Sequence, residues 1–370
     1  MNKLILIGIL FFISCNSLVT KFDDIEPAVK YSSNSINNDD IVKDTLSVMT
    51  WNIRFGAGRM DYFGDHCGER VIFTESEIKE NLNQIVDVIN NKEVDILLLQ
   101  EVDVESKRSA YIDEVQYLLN KTHLNYGVYA SMHQAQIIPF NGYGRVNVGN
   151  AILSRWKLTE SERIQLPLMT DQSSLDQYFY LKRNILRTKV EIEDRDNIFA
   201  VNTHLTAFAT DNTKEKHIDQ YIETLEDLNS NGSKFISGGD LNSIPPVNDN
   251  DTIPDFCIKD KCENENFHYE ADGGPHKAGS YFEYDSNENG WLIPLYNNYN
   301  SGIPEENRNN IEHYTHTPGS QIDLTDGGRK LDYLFTNLEK VIESGKTLQE
   351  NTNISDHVPV IINVILPEGE

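Results

Sequence analysis

Short apolar segments recur from residue 46 to residue 366, and they limit the possible folds more than any other feature of this sequence. Each segment has the length of a strand and is rich in β-branched or aromatic residues. Several are apolar without interruption, which is typical of strands that are buried on both faces of a sheet. The segments are 46–54, 94–102, 148–156, 185–192, 197–205, 234–241, 331–336 and 358–366.

Two regions between these segments have a helical pattern instead. The first apolar stripe comprises Ile78, Leu82, Ile85, Val86 and Ile89, and the second comprises Ile218, Ile222, Leu225 and Leu228. Residues three or four positions apart lie on one face of a helix, so each stripe predicts an amphipathic helix. Residues 211–213 precede the second stripe and are of types that cap helices. Strands mixed with such helices predict an α/β fold whose sheets are covered on their outer faces.

The charge balance excludes some classes of function. The chain has 58 Asp and Glu against 32 Lys and Arg, which gives a formal net charge of −26. Tight, nonspecific binding of nucleic acid over a broad surface rests on many Lys and Arg contacts, so this class is disfavoured. A local site that handles phosphate through a metal ion remains compatible with the charge.

Beyond the N-terminus no apolar run approaches the roughly 20 residues of a spanning helix, which excludes a multi-span membrane protein.

The first fifteen residues predict an export signal. Lys3 provides the positive start, and residues 4–13 form an apolar stretch of the length found in signal peptides. Ser14-Cys15 follows directly and resembles the lipobox of bacterial lipoproteins, although Phe12 stands where that box usually has Leu. The alternative is an ordinary signal peptide with an incidental cysteine. We therefore expect an exported protein of the bacterial cell envelope that is anchored to a membrane, periplasmic or surface-facing, through a lipid on Cys15.

The remaining chain divides by composition. Residues 16–44 are rich in Asn, Ser and Asp and predict a flexible tether. A single domain is expected over residues 45–367, with a long, partly structured insertion near 245–318 that is rich in Pro, Asn, Asp, Gly and Tyr. In an oxidising compartment Cys257 and Cys262 could form a disulfide, which would leave Cys67 unpaired.

Polar residues sit repeatedly at the ends of the predicted strands. Open α/β sheets build their sites at the C-terminal ends of strands, so this placement points to one shared site. The residues are Asn52, Glu101, His204, Asp240 and Asn242, together with Asp332 in the segment LDYLF and Asp356-His357 just before the last strand. Taken singly, each has an ordinary structural explanation as a turn former, a surface carboxylate or a buried histidine.

The order of the motifs carries a resemblance to a known family. TWNIR, LLLQEVD, NAILSRW, VNTHL, GGDLNS, LDYLF and SDHVPV, in that order, resemble the endonuclease/exonuclease/phosphatase superfamily of DNase I-like, metal-dependent phosphoesterases. The match spans residues 46 to 362. The resemblance implies a four-layered α/β sandwich in which two mixed sheets pack face to face with helices outside. It also implies hydrolysis of a phosphate ester, and no obligatory protein partner is evident.

The chemistry of phosphate esters agrees with the metal ligands that the resemblance implies. A phosphodiester is anionic, and attack by water adds negative charge, so the site requires a cation, a positioned base and donors to the oxygens. Glu101 is a hard oxygen ligand suited to Mg²⁺ or Mn²⁺, with Ca²⁺ possible. The resemblance assigns it that role, places Asn52 beside the metal or its water, and makes Asp356 a ligand of a second metal.

The resemblance implies further roles in proton transfer. Asp240 would orient or deprotonate the attacking water, and Asn242 beside it would contact phosphate. His204 and His357 resemble the paired histidines that transfer protons and stabilise phosphoryl oxygens, tasks that suit an imidazole. Asp332 resembles the carboxylate that fixes the tautomer of His357.

Two assignments remain open at this point. Arg183 matches the family's phosphate-contacting arginine, but Arg187 is close enough in the sequence to be the alternative. The segment from His313 to His316 precedes LDYLF, where family members often place a Thr-His element. It is either a substrate-facing element or a polar loop with incidental histidines.

The substrate is not fixed by these motifs. The superfamily includes nucleases, sphingomyelinases, inositol-phosphate phosphatases and other phospholipid-processing enzymes, so shared catalytic residues leave the choice open. No run of Lys and Arg is longer than Lys182-Arg183. With a membrane anchor, this favours a phospholipid or small organophosphate over nucleic acid. The alternatives are a secreted DNase I-like nuclease and a non-catalytic, membrane-tethered binding protein on the same scaffold; the presence of every expected site residue favours an enzyme.

Overall fold

The computed structural model describes residues 18–37, 43–63, 68–138, 141–195, 197–207, 209, 211–246, 288–317, 322–325 and 328–368. Its strands are β1 (Ile25–Pro27), β2 (Val29–Ser32), β3 (Thr45–Asn52), β4 (Ile96–Asp103), β5 (Tyr126–Ile138), β6 (Gly144–Ser154), β7 (Leu158–Gln165), β8 (Asn184–Val190), β9 (Ile198–His204), β10 (Lys234–Asp240), β11 (Asn300–Ser301), β12 (Asp332–Thr336), β13 (Glu339–Lys340), β14 (Lys346–Thr347) and β15 (Val360–Ile365). Its helices are α1 (Glu75–Asn91), α2 (Glu114–Lys121), α3 (Ser174–Phe179), α4 (Thr213–Ser230) and α5 (Ile293–Asn298).

The strands form two mixed sheets. Sheet I has the order β13-β15-β3-β4-β6-β5-β2, with β14 also paired to β15, and sheet II has the order β1-β7-β8-β9-β10-β12-β11. The pair β3 and β4 is parallel in sheet I, and the pair β9 and β10 is parallel in sheet II. The C-terminal ends of these four strands meet at one end of the molecule, which we call the site end.

Three apolar clusters define the layers. Side chains of β3, β4 and β6 pack against those of β8, β9 and β10 between the two sheets. Helices α1 and α2 cover the outer face of sheet I, and helix α4 covers the outer face of sheet II. The prediction of a four-layered α/β sandwich is therefore confirmed.

Both predicted helices are present, and the start of α1 follows from local sequence. The side chain of Thr74 accepts a hydrogen bond from the backbone N–H of Glu77, whose side chain reaches back to the backbone of Thr74. This capping box satisfies amide groups that the first turn of α1 leaves without partners. The stripe from Ile78 to Ile89 is buried against sheet I, as its spacing predicted.

The predicted tether over residues 16–44 is wrong for the part that the structure describes. Residues 25–27 pair with β7 at the edge of sheet II, and residues 29–32 pair with β5 at the edge of sheet I. The N-terminal segment thus joins the edges of both sheets. Its polar composition concealed this because edge strands this short are held by backbone hydrogen bonds rather than by an apolar pattern.

Part of the predicted insertion also belongs to the sandwich. Strand β11 pairs with β12 and extends sheet II, and α5 packs on the outer face of that sheet.

The predicted lipid anchor at Cys15, the unpaired Cys67 and the Cys257–Cys262 disulfide lie outside the described residues. Within the described ranges, no helix is both long enough and apolar enough to cross a membrane.

Candidate active site

The ends of β4 and β10 direct side chains toward the site through unusual backbone geometry. The register between β4 and β6 shifts between Leu99 and Val102, and Glu101 within this bulge has a φ of 54°. A bulge turns the side chain of an extra residue away from the regular alternation of the strand. Asn242, just after β10, has a φ of 47°. Gly239 allows β9 and β10 to approach closely, since a Cβ there would lie 1.9 Å from the carbonyl oxygen of Thr203.

Asn52, Glu101 and Asp240 meet at the centre of the site end. The Asn52 side-chain amide donates to Glu101 Oε1 at 3.2 Å and to Asp240 Oδ2 at 3.1 Å. Asn52 and Asp240 are each only 1% exposed, whereas the Glu101 side chain is 30% exposed. The amide therefore links one buried carboxylate to one that solvent can reach.

His357 lies between two carboxylates. Its Nδ1 is 2.7 Å from Asp332 Oδ2, and its Nε2 is 3.6 Å from Asp240 Oδ2. Burial alone would lower the pKa of His357, but the Asp332 and Asp240 carboxylates outweigh burial and raise that pKa. Burial raises the pKa of Asp240, and the negative charge of Asp332 adds to the effect. The geometry lets Asp332 fix the ring while Nε2 faces Asp240.

His204 approaches the same carboxylates from sheet II. Its Nε2 is 3.3 Å from Asp240 Oδ2 and 4.0 Å from Glu101 Oε1. Burial lowers the pKa of His204 well below its usual value, and the nearby Arg183 and His357 add to this effect. The two histidines therefore differ in charge preference, His204 neutral and His357 protonated, which is a suitable arrangement for proton transfer.

The structure places Arg183, and not Arg187, at the site end. The Arg183 guanidinium is buried, and its Nη1 lies 3.4 Å from the carbonyl oxygen of His204. Within the described residues its Nε has no hydrogen-bond partner. Arg187 instead forms ion pairs with Glu162 at 2.7 Å and Asp227 at 3.8 Å. Arg183 is therefore the arginine that lies beside the other site residues, and its contact with phosphate stays a prediction.

Asn242 and Asp356 lie beside the centre with other neighbours. Asn242 Nδ2 donates to the carbonyl oxygen of Leu205 at 3.0 Å. Asp356 is grouped with His316 and His357, and its Oδ2 is 3.6 Å from Arg54 Nε. The Ser355 hydroxyl, which donates to the carbonyl oxygen of Asn52, also donates to Asp356 Oδ1 at 3.2 Å. The second-metal role of Asp356 stays a prediction.

The donors at the centre fit a hard divalent cation. Glu101 offers a partly exposed carboxylate beside the Asn52 side chain and the buried carboxylate of Asp240. Oxygen ligands of this kind suit Mg²⁺, Mn²⁺ or Ca²⁺. Glu101 thus offers the accessible carboxylate, while the Asn52 oxygen accepts from the backbone N–H of Arg54 at 3.1 Å. The roles of Glu101 and Asn52 as metal ligands stay predictions.

The segment from His313 to His316 was given only an open role from the sequence, and two of its residues, Thr315 and His316, contact the surroundings of Asp332 and His357. Thr315 Oγ1 accepts from the backbone N–H groups of Leu331 at 2.9 Å and Asp332 at 3.1 Å. The carbonyl oxygen of Thr315 accepts from Val358 N at 2.7 Å. The buried ring of His316 lies 4.5 Å from that of His357, centroid to centroid. His313, by contrast, contacts Thr347 and Glu312.

Buried amides beneath the site were missed by the sequence analysis. Asn202 Oδ1 accepts from Gln100 Nε2 at 2.6 Å, and its Nδ2 donates to the carbonyl oxygens of Leu99 and Ala151. These contacts tie sheet II to sheet I directly below the site. The signal was present, since an Asn inside the strand VNTHL has to find partners when it is buried.

The whole arrangement matches one family. The family model described as "Endonuclease/Exonuclease/phosphatase family" matches residues 49–357. The chain belongs to this family. The match begins in β3 and ends at His357, so it encloses every residue of the candidate active site.

Solved structures agree with the fold. An endonuclease/exonuclease/phosphatase from Beutenbergia cavernae DSM 12333 is similar to this chain, with a TM-score of 0.54 and 14% identity. The similarity covers 88% of this chain and 73% of the Beutenbergia chain. One from Bacteroides vulgatus covers 88% of this chain and 100% of its own, with a TM-score of 0.52 and 14% identity. A family protein from Leptotrichia buccalis C-1013-b covers 86% and 99%, with a TM-score of 0.51 and 15% identity. No curated protein sequence matches this chain.

Family membership supports one broad chemistry. The family is a superfamily of phosphoesterases and nucleases, typically dependent on a divalent metal, and this supports a metal-dependent hydrolase of phosphate esters in general. The carboxylate, amide and imidazole groups described above are the groups that such chemistry requires.

Proposed function

We propose that the chain is an exported, metal-dependent phosphodiesterase that hydrolyses a phospholipid or a small organophosphate by attack of water. The observation that carries this proposal is the Asp332–His357–Asp240–His204 series, in which each neighbouring pair of side chains lies within 3.6 Å. A binding protein would gain little from burying four titratable groups in this order, since each burial is costly unless the groups are used or fully paired.

Each residue has a task that its surroundings support. When bound, Mg²⁺ or a similar ion would be held by Glu101 and Asn52, and would stabilise the negative charge that develops on phosphoryl oxygens. Asp240 orients the attacking water and accepts its proton. His357, held by Asp332, donates hydrogen bonds from Nε2 toward the phosphoryl group.

Two further groups face the phosphate in this proposal. His204 remains neutral because it is buried beside Arg183, so it can donate from one nitrogen without adding charge. Arg183 contributes a buried positive charge. Asn242, whose Nδ2 donates to the carbonyl oxygen of Leu205, keeps its predicted contact with phosphate. Asp356 is assigned the second-metal role only as a prediction, because its described neighbours are Arg54, His316 and His357.

The choice of substrate class rests on sequence. The formal charge of −26 and the scarcity of basic clusters disfavour a nucleic-acid substrate. A lipid anchor at Cys15 would hold the enzyme where phospholipids and exported organophosphates are found. A secreted nuclease is the alternative function, and a non-catalytic binding protein is the alternative class.

The experiment is hydrolysis by the full chain, with and without Mg²⁺, Mn²⁺ or Ca²⁺, of sphingomyelin, phosphatidylinositol, inositol phosphates, DNA and RNA. We expect metal-dependent cleavage confined to the lipid or small organophosphate substrates. Cleavage of DNA or RNA alone would establish the nuclease instead. No cleavage by folded, metal-bound protein would refute the enzyme proposal for these substrates.

Paired variants test the roles. His357→Ala should abolish most turnover, whereas His313→Ala, a half-buried histidine away from Asp240, should not. Glu101→Gln should raise the metal concentration required for half-maximal rate, and Glu105→Gln, with a 57% exposed side chain, should not. Near-normal activity of His357→Ala would refute its assigned role in proton transfer.

A further inference from the structure

From Leu18 onward, hydrogen bonds attach the N-terminal segment to the two-sheet domain. The carbonyl oxygen of Leu18 accepts from Gln136 N at 3.0 Å, and Thr20 N donates to the carbonyl oxygen of Gln134 at 2.8 Å. Between them, Val19 N donates to the hydroxyl of Tyr178 in α3 at 3.1 Å. Residues 18–20 therefore run along the last part of β5 and against α3.

This attachment lies at the site end. Strand β6 is antiparallel to both β4 and β5, so β5 runs in the same direction as β4. Residues 134–138 consequently lie beyond the end of β4 that carries Glu101. Helix α3 directly precedes the start of β8, and β8 is antiparallel to β9, which ends at His204. Leu18 and α3 are therefore at the same end of the sandwich as the catalytic groups.

The short stretch of chain between Cys15 and Leu18 limits how far the two-sheet domain can lie from a lipid on Cys15. Cys15 precedes Leu18 by only three residues. A fully extended chain advances at most about 3.6 Å per residue, so Leu18 lies within roughly 11 Å of the Cys15 Cα. This step rests on the lipid anchor in the proposed function. A lipid on Cys15 would hold the site end, and not the opposite end, against the membrane.

The same end exposes a set of large apolar side chains, which we call the apolar rim. It comprises Leu18 (37% exposed), Ile137 (52%), Leu175 (68%) and Phe179 (37%). None of the six residues of α3 is buried. Apolar side chains that solvent would reach in this way are typical of surfaces that contact a partner or a membrane.

The charge of the chain favours apolar contact over electrostatic attraction. Binding of anionic lipid surfaces normally rests on clusters of Lys and Arg, and the net charge here is −26. A zwitterionic lipid surface is therefore the occupant that suits the apolar rim.

We infer that the apolar rim rests on the lipid bilayer, so that the active site opens toward the membrane surface. The structure combines the short reach from Cys15, the attachment of residues 18–20 at the site end, and the apolar rim around that attachment. The consequence is a substrate class: phosphate esters presented in the bilayer interface, rather than polymers reached from solution.

The test is depth-dependent fluorescence quenching of the full-length chain. The protein is purified in lipidated form from a bacterial host that processes lipoproteins, and it is reconstituted in vesicles of brominated or ordinary phosphatidylcholine. Leu175→Trp and Ile137→Trp place a reporter in the apolar rim. Ile342→Trp is the matched control, because Ile342 is 85% exposed and follows β13 at the opposite edge of sheet I. The three native tryptophans give the same background in every variant.

We expect brominated lipid to quench the added tryptophan at positions 175 and 137 at least about twofold more than that at position 342, because quenching requires contact with the lipid. Equal quenching at all three positions, or stronger quenching at position 342, would overturn the inferred orientation while leaving the anchor in place. Mass spectrometry of the mature N-terminus separates the other failure: an unmodified Cys15 would refute the anchor and the orientation with it. Neither result would alter metal-dependent hydrolysis of soluble substrates, which tests the proposed chemistry independently.

Discussion

Replacement of Thr315 by Val tests how the site is held together. Thr315 is fully buried, and its hydroxyl oxygen accepts hydrogen bonds from the backbone N–H groups of Leu331 and Asp332. Val has nearly the same shape but lacks the oxygen. Thr315→Val therefore removes one acceptor from two buried donors, and one of these donors belongs to the residue that orients His357.

The structure allows the cost to be worked out. A buried donor left without a partner costs about 1–3 kcal/mol, so two donors give roughly 2–6 kcal/mol in the free energy of unfolding. Local movement that recovers part of this energy would displace Asp332, whose carboxylate lies 2.7 Å from His357 Nδ1. A displacement of about 1 Å at a catalytic group lowers turnover by roughly a hundredfold. Stability and kcat should therefore both fall, while KM changes little.

Urea denaturation followed by circular dichroism measures the stability. Steady-state kinetics on a substrate that the hydrolysis assay identifies separate kcat from KM. Thr315→Ser is the matched control, because it keeps the hydroxyl and should retain most of both quantities. A Thr315→Val protein with unchanged stability and unchanged kcat would show that these two hydrogen bonds do not position Asp332.

Two predictions concern stability alone. Arg108→Met should lower the free energy of unfolding, measured by urea denaturation, by about 3–5 kcal/mol, because it leaves the buried Asp103 carboxylate without its bidentate ion-pair partner. The control Arg145→Met removes an exposed ion pair and should cost about 1 kcal/mol or less. The hydrogen bond from Arg70 is the main cause that lowers the pKa of Glu77 from 4.5 to about 2. The contribution of ionised Glu77 to the free energy of unfolding is therefore present above pH 4.5 and is lost as the pH falls toward 2. The midpoint of urea denaturation should therefore fall less between about pH 5 and pH 3 in Glu77→Gln than in the unchanged protein, and equal falls would contradict this assignment.

The strands that the sequence predicted are the ones buried on both faces. All eight apolar segments correspond to strands, because a strand covered on both sides is apolar along its whole length. Strands β5 and β7 were missed, together with the short strands β1, β2, β11, β13 and β14. Strand β7 has the sequence LTESERIQ, and its polar residues conceal a strand near the sheet edge, whereas β5 is buried over most of its length and was missed all the same. Pairing with neighbours, and not local composition, makes such a segment a strand.

The site residues were predictable as a set because they sit at strand ends, but their neighbours were not. Sequence could not choose between Arg183 and Arg187, since the two are only four positions apart and the start of β8 at Asn184 was not predicted to fall between them. The contact between His316 and His357 depends on an isolated bridge between segments 41 residues apart in the sequence. No local pattern encodes such a contact.

Two residues of the site adopt backbone conformations that are unusual for non-glycine residues. Glu101 and Asn242 both adopt positive φ, and such positions cost about 1–3 kcal/mol each unless the surrounding structure determines them. The Asn52 amide holds Glu101 from one side, and Asn242 is held by Leu205 and by its own hydrogen bond to Asp240. A regular strand would direct Glu101 into the wall of the sheet. The bulge instead places its carboxylate beside the Asn52 amide, which also donates to Asp240. The same irregularity that costs stability therefore creates the arrangement to which the proposed hydrolysis assigns the metal.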